Sequence, residues 1–358
     1  MVIKEAESQI EDNLGDDSEE IIPLKYSITS YGADYPVDSL VKRIEDGSIF
    51  VPSFQRGFVW PLTQASRFVE SLLLGLPVPG IFLAKEQETQ KLLVIDGQQR
   101  LFSLLYFYQG IFAHTSREFS LSGVQSHFRG ATYKTLSDED RRRLDDSIIH
   151  ATIVKQDEPS EDYGSIYDIF ERLNTGGVLI QPQEIRTAIY HGEFNDLLVK
   201  LNLTQYWRAI YGPISMRMKD QELILRFFAF YFDSDKYKKP MNNFLNIYMG
   251  KNRCLKSQSE NILSEIFLST IEAAHKAIGN RAFKLGKALN VAVFDSVMVG
   301  IAKRLSKGSI QQFSNLKERY ESLLNNPKFI KATKSGTSSE ESVRDRLQLA
   351  TEAFANVE

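Results

Sequence analysis

The residues best suited to chemistry lie in the run Leu93-Val-Ile-Asp-Gly-Gln-Gln-Arg-Leu101, where an apolar stretch leads directly into polar residues. A strand followed by a helix at this point would present backbone N–H groups at the helix start, and these groups attract anions together with the helix dipole. Gly97 would let the backbone approach a ligand, and Arg100 offers a guanidinium suited to a phosphate. Asp96 would hold a metal ion, a ribose hydroxyl or the N–H groups of its own helix. The alternative is that Asp-Gly only caps the helix.

A second segment, Val51-Pro-Ser-Phe-Gln-Arg-Gly-Phe-Val-Trp-Pro61, is extended and bounded by prolines. Its Gln55-Arg56 pair would place a second guanidinium beside a ligand. The alternative is a surface loop that three aromatic side chains anchor in the core: Phe54, Phe58 and Trp60.

A third segment runs from Phe170 to Val178 and is followed by Gln181–Arg186. A helix that ends in Asn174 and a Thr-Gly-Gly turn would expose backbone N–H groups in the geometry that binds anions. The alternative is an ordinary helix C-terminus with glycine after the last helical residue.

The three motifs together, FQRGFVW, VIDGQQRL and FERLNTGGVLI, resemble the N-terminal domain of GmrSD-type restriction endonucleases over about residues 20–230. That family is similar to the ParB/sulfiredoxin fold, in which a Gly-x-x-Arg segment grips nucleotide phosphates, and Gly97–Arg100 takes that place here. The resemblance implies a domain that binds and often hydrolyses a nucleoside triphosphate in defence against phage or modified DNA. We expect Asp96 and Arg100 to be catalytic and the following residues to bind the nucleotide: Gln55, Arg56, Gly97, Gln98, Gln99, Arg100, Asn174, Gly176, Gly177 and Arg186.

The expected cofactor is a nucleoside triphosphate, with Mg²⁺ as its companion ion. Either Asp96 or Glu184 would hold the metal through water, and the sequence does not decide between them. DNA-cutting members of the family usually carry a His-Asn-His nuclease domain, whose chemistry needs clustered histidines. Only His275 of the five histidines lies in the last 160 residues, so that module is predicted to be absent and DNA cleavage to need a separate nuclease subunit.

The elements that must position these residues follow from hydrophobic periodicity. The segments 81–86 and 91–96 predict a hairpin, 98–108 a helix, 137–144 a capped helix and 148–156 a strand. Later residues predict helices at 193–201, 216–232, 260–278, 285–306, 309–325 and 340–355. We therefore expect an α+β fold: a ParB/sulfiredoxin-like nucleotide-binding domain at 21–200 and an all-α helical domain at 201–358.

Charge is distributed unevenly. Residues 1–20 hold eight carboxylates and one lysine, a charge of −7, so the remaining residues carry +4 of the net −3. The first 20 residues are expected to form a flexible tail, or alternatively a tail that masks a basic surface. Basic segments at 236–239, 251–256, 303–307 and 331–334 would contact DNA phosphates, unless they are only solvated lysines. A non-catalytic DNA-recognition or protein-interaction module is therefore the alternative function.

Two absences limit the class of protein. No apolar run approaches the ~20 residues that a bilayer span needs, so no membrane partner is expected. The single cysteine, Cys254, excludes an internal disulfide. These features predict a cytoplasmic protein.

Overall fold

The computed structural model describes residues 10–11, 27–51, 58–86, 89–158, 164–173, 181–286 and 288–358. The chain divides into two compact units. The sheet unit comprises residues 25–180, and the helical unit comprises residues 181–358 together with 1–24. The division at Gln181 lies inside the range 21–200 that the sequence analysis assigns to the first domain.

Strands occur in both units, most of them in the sheet unit. In chain order they are β1 (Ile10–Glu11), β2 (Ser27–Pro36), β3 (Ile49–Phe50), β4 (Ile81–Lys85), β5 (Leu92–Asp96), β6 (Ile111–Phe112), β7 (Arg117–Glu118), β8 (Ile148–Glu158) and β9 (Leu289–Asn290). β1 and β9 pair in parallel in the helical unit, so two residues of the segment predicted as a flexible tail form a strand.

Among the described residues of the sheet unit, five strands form one mixed sheet in the order β2-β8-β4-β5-β3. β2 and β8 are antiparallel, β8 and β4 parallel, β4 and β5 antiparallel, and β5 and β3 parallel. The predicted hairpin is therefore β4–β5, and the strand predicted at 148–156 is β8. β5 lies between two neighbours, and its residues 92–95 are buried, which explains why they are all apolar.

The sheet unit has helices between its strands and after its last described strand, β8. They are α1 (Val37–Glu45), α2 (Leu62–Leu73), α3 (Gln98–Gln109), α4 (Asp138–Asp145) and α5 (Gly164–Leu173). The predicted cap of α4 is present, since the Ser137 hydroxyl accepts the Asp140 N–H at 3.1 Å.

The main core of the sheet unit lies between α1–α3 and one face of the sheet. It includes Leu40, Val69, Leu101, Leu104, Ile81, Val94 and Ile153. The opposite face of the sheet is also buried, at the strand residues that alternate with the core-facing ones: Leu93, Ile95 and Val154. α5 contacts the two strands that carry these residues, β5 and β8.

The helical unit is built mainly from α-helices. They are α6 (Pro182–Ile189), α7 (Glu193–Asn202), α8 (Gln205–Tyr211), α9 (Lys219–Asp233), α10 (Met241–Asn252), α11 (Glu260–Ile278), α12 (Val291–Leu305), α13 (Phe313–Leu324), α14 (Pro327–Lys334) and α15 (Glu340–Phe354). α12 contacts α9, α11 and α15, and its residues 291–302 are buried on every side, as expected of a central helix. Along the described stretches of the chain, no helix combines the length and the apolar character that crossing a membrane requires.

A buried ion cluster joins three helices of this unit. Arg226 on α9 donates to both carboxylate oxygens of Asp295 on α12, at 3.1 and 2.5 Å, and Arg346 on α15 donates at 3.2 Å. The side chain of Asp295 is fully buried, and those of Arg226 and Arg346 are 7% and 1% exposed. Burial lowers the pKa of Arg346, and Asp295 opposes that effect. One carboxylate therefore compensates two buried cations.

Candidate functional site

The candidate site begins where β5 turns into α3. Gly97 adopts φ +103°, a left-handed conformation that favours glycine. A Cβ atom at this position would lie 2.4 Å from Cγ2 of Ile81, a buried residue of β4. Only glycine therefore lets the chain turn this closely against β4 and begin α3 directly after the strand.

The guanidinium of Arg100 is held at this turn. Its Nη2 atom donates to Asp96 Oδ2 at 2.7 Å and to the Gly80 carbonyl at 2.9 Å. The Arg100 side chain is 16% exposed and that of Asp96 is 49% exposed. Arg100 Nε is buried and has no hydrogen-bond partner among the described groups. Arg100 thus links β4, β5 and α3 and keeps one donor that none of those groups uses.

Gln99 connects this turn to the second motif. Its Oε1 atom accepts the N–H groups of Val59 at 2.9 Å and Trp60 at 3.2 Å. These residues directly follow the segment 52–57, which carries Gln55 and Arg56. The first residue of the helix, Gln98, is partly exposed beside them.

Two of the three aromatic residues of the second motif, Phe58 and Trp60, pack as the alternative interpretation predicted. Phe58 is 8% exposed, and its ring lies 5.1 Å from Tyr106 and 5.7 Å from Phe112 between centroids. Trp60 lies 5.9 Å from Phe68. Aromatic anchoring and the Gln99 hydrogen bonds therefore both fix the chain just after Arg56.

Several predicted site residues lie outside the described residues: Phe54, Gln55, Arg56, Asn174, Gly176 and Gly177. α5 ends at Leu173, immediately before Asn174. The roles of these residues stay predictions.

Arg186 belongs to the helical unit, where its side chain is fully buried. Its guanidinium donates to oxygen atoms of side chains on α6, α9 and α10: Gln183 at 3.2 Å, Glu222 at 2.9 Å, Asn242 at 2.8 Å and Asn246 at 2.8 Å. These bonds hold the three helices together. A nucleotide-binding role for Arg186 stays a prediction.

Glu184, the other carboxylate considered for a metal, also lies in the helical unit. Its side chain is 8% exposed, accepts the Gln181 N–H at 2.6 Å and lies 3.5 Å from Arg217. Burial raises the pKa of Glu184, although the Gln181 N–H and the Arg217 charge oppose that rise. Among the described residues, no three His, Cys, Asp or Glu side chains cluster as a metal-binding group.

Sequence reasoning missed a second polar pair at the same end of the sheet. His150 Nδ1 lies 2.9 Å from Asp34 Oδ1, across the β2–β8 pairing. A Cβ on Gly32 would lie 2.7 Å from the imidazole, and a Cβ on Gly80 would lie 2.7 Å from the His150 carbonyl. Two glycines therefore leave room for His150. Because Gly32, Gly80 and His150 lie far apart in the sequence and in no shared motif, the sequence did not indicate this contact.

A family model described as GmrSD restriction endonuclease, N-terminal domain, matches residues 37–191. The matched range starts at α1, contains the β5–α3 turn and ends just after α6. An uncharacterized protein of Methanocaldococcus jannaschii is 32% identical over an alignment covering 19% of this chain and 16% of that protein. This chain therefore corresponds to only a small part of that relative's length. The family match confirms, over residues 37–191, the resemblance that the three motifs indicated to the N-terminal domain of GmrSD restriction endonucleases.

Proposed function

We propose that this chain is the nucleotide-binding component of a DNA restriction system that acts against phage or modified DNA. In this proposal the sheet unit binds a nucleoside triphosphate at the β5–α3 turn. The observation that carries the proposal is the position of Arg100, whose guanidinium lies at the start of α3 beside a glycine without a side chain. A helix start and a guanidinium both favour phosphate.

The partners of Arg100 are consistent with a site that exchanges ligands. Asp96 is half exposed, so its ion pair with Arg100 is worth only about 0–1 kcal/mol, as for surface pairs. A phosphate would compete with Asp96 for Nη2, and the unused Nε atom offers a further donor. The same turn supports the proposed ParB/sulfiredoxin-like fold, because Gly97 and Arg100 form its Gly-x-x-Arg segment.

The remaining predicted residues complete the proposed site. Gln99 holds the chain that follows Arg56, which would supply a second positive charge. Asn174, Gly176 and Gly177 would close the site with backbone N–H groups. Stabilisation of developing phosphate charge is the main contribution that such residues make to hydrolysis.

Asp96 fits a companion Mg²⁺ ion. Mg²⁺ commonly keeps several waters and binds through one or two carboxylates together with substrate phosphates, so a larger cluster of acidic residues is not required. A bound Mg²⁺ would neutralise phosphate charge. Asp96 would hold it through water, which would also leave Arg100 free to turn toward the phosphate.

The proposal is tested by calorimetric titration of the full chain with each of the four nucleoside triphosphates, with and without Mg²⁺. One nucleotide is expected to bind stoichiometrically. Arg100→Ala should weaken binding roughly ten- to a hundred-fold, since a hydrogen bond to a charged group contributes about 1.5–3 kcal/mol. Asp96→Asn should reduce phosphate release more than binding.

Arg117→Ala is the matched control, because Arg117 is exposed on β7 of the same unit. Thermal unfolding accompanies each titration, since Arg100→Ala also removes a bond to the Gly80 carbonyl and should cost about 1–2 kcal/mol of stability. If the wild type binds no nucleotide, or if folded Arg100→Ala binds it unchanged, the proposal is wrong. The alternative, a non-catalytic DNA-recognition or protein-interaction module, would then be favoured.

A further inference from the structure

The positive charge of the chain is concentrated in one stretch of the helical unit. Residues 233–258 contain five lysines, one arginine and two aspartates, a net charge of +4. Residues 21–358 as a whole also carry +4, so the rest of that range is neutral. No carboxylate occurs between Lys236 and Ser259.

The fold brings the two ends of this stretch together. Asp233, at the end of α9, accepts hydrogen bonds from Lys236 at 2.6 Å and from Lys251 at 3.3 Å. Burial alone would raise the pKa of Asp233, but the two lysine hydrogen bonds lower it. The basic segments 236–239 and 251–256, separated in sequence by α10, therefore lie on one surface.

The lysines of these two segments are accessible. All five lysine side chains are exposed to solvent: Lys236, Lys238, Lys239, Lys251 and Lys256. Lys238 is 74% exposed and its described partner is Glu340, at 3.0 Å. Exposed pairs of this kind are worth about 0–1 kcal/mol, so these ammonium groups can exchange a carboxylate for a phosphate.

We propose that this basic surface, consisting of Lys236, Lys238, Lys239, Lys251, Arg253 and Lys256, binds the phosphate backbone of double-stranded DNA. Protein interfaces are depleted in lysine, whereas phosphate contacts favour it, so DNA fits better than an acidic protein. Contacts to phosphate oxygens carry no sequence information, so this binding would be independent of sequence. The inference does not depend on the nucleotide site.

The test measures binding of the full chain to a fluorescein-labelled 20-base-pair duplex by anisotropy, at several salt concentrations. The variant is K238Q/K239Q/K256Q, which leaves the lysines on Asp233 in place. Each lost phosphate contact should lower the slope of log K against log salt by about 0.9, so the slope should fall by about 2–3 and the affinity at least ten-fold. K238R/K239R/K256R should retain binding, because it keeps the charges.

The matched control, K200Q/K317Q/K328Q, removes three exposed lysines from parts of the helical unit outside the basic segments. It should leave the slope unchanged. Equal losses in both triple variants would mean that net charge alone attracts DNA, and the assigned surface would be wrong. The proposal of a DNA-binding surface would also be wrong if the wild type binds polyglutamate but not DNA. Circular dichroism establishes that every variant is folded before it is scored.

Discussion

Replacing Gly97 with alanine tests the geometry of the β5–α3 turn directly. The substitution adds one methyl group at a position with φ +103°. That methyl would lie 2.4 Å from Ile81 Cγ2 and 2.9 Å from Ile81 Cβ, both well inside van der Waals contact. Ile81 is 1% exposed and packed in the core, so it cannot move away freely.

The expected loss of stability has two parts. A left-handed conformation costs an L-residue about 1–2 kcal/mol. Forcing an extra methyl group into a packed core costs about 1–3 kcal/mol. Gly97→Ala should therefore lower the free energy of unfolding by about 2–5 kcal/mol.

Gly110 provides the control for strain, because it ends the same helix at φ +75° and a Cβ there would meet nothing within 4 Å. Gly110→Ala should cost only about 1–2 kcal/mol. Urea unfolding followed by circular dichroism measures both variants, and hydrogen exchange locates the loss in the sheet unit. In an Ile81→Ala background, which removes Cγ2 but keeps Cβ, the cost of Gly97→Ala should fall in part, by about 1 kcal/mol or more. Equal costs for the two glycines, or no coupling to Ile81, would refute the proposed clash.

Two further predictions concern the helical unit. Asp295→Ala should lower the free energy of unfolding by about 3–5 kcal/mol, because it removes the carboxylate to which two buried guanidinium groups donate. Exposed Asp235→Ala should stay within about 0.5 kcal/mol in the same urea titration, and a loss below about 1 kcal/mol for Asp295→Ala would contradict the cluster's role. Burial raises the pKa of Glu184 above 4.5, so the folded state holds that proton more tightly and stability should fall as pH rises through the range just above 4.5. Glu184→Gln should remove this loss, and a wild-type-minus-variant difference that is flat with pH in urea titrations would count against it.

Local sequence patterns predicted the elements of the site well. The apolar run 92–95 between turn residues identified a buried strand, and Asp-Gly followed by helical spacing identified the start of α3. The hairpin β4–β5 followed from two apolar runs separated by a polar turn. In each case the decisive interactions lie within a few residues along the chain.

Contacts between distant residues could not be predicted in the same way. Arg100 bonds to the Gly80 carbonyl, Gln99 to the backbone at residues 59 and 60, and His150 to Asp34, because strand order brings these groups together. The helix predicted from residue 285 begins at Val291 instead, since residues 289–290 pair with β1 and Asn290 caps α12. Likewise, only the fold shows that two basic segments share Asp233.

The two tryptophans give each compact unit its own fluorophore. Trp60 is partly buried in the sheet unit, where its indole packs against the ring of Phe68. Trp207, in the helical unit, is completely buried and donates its indole N–H to Asn202 at 2.8 Å. A water-soluble quencher should therefore reach Trp60 more readily than Trp207. Comparing the fluorescence with and without the quencher should separate the emission of the two tryptophans, so that the unfolding of each unit can be followed in one unmodified sample.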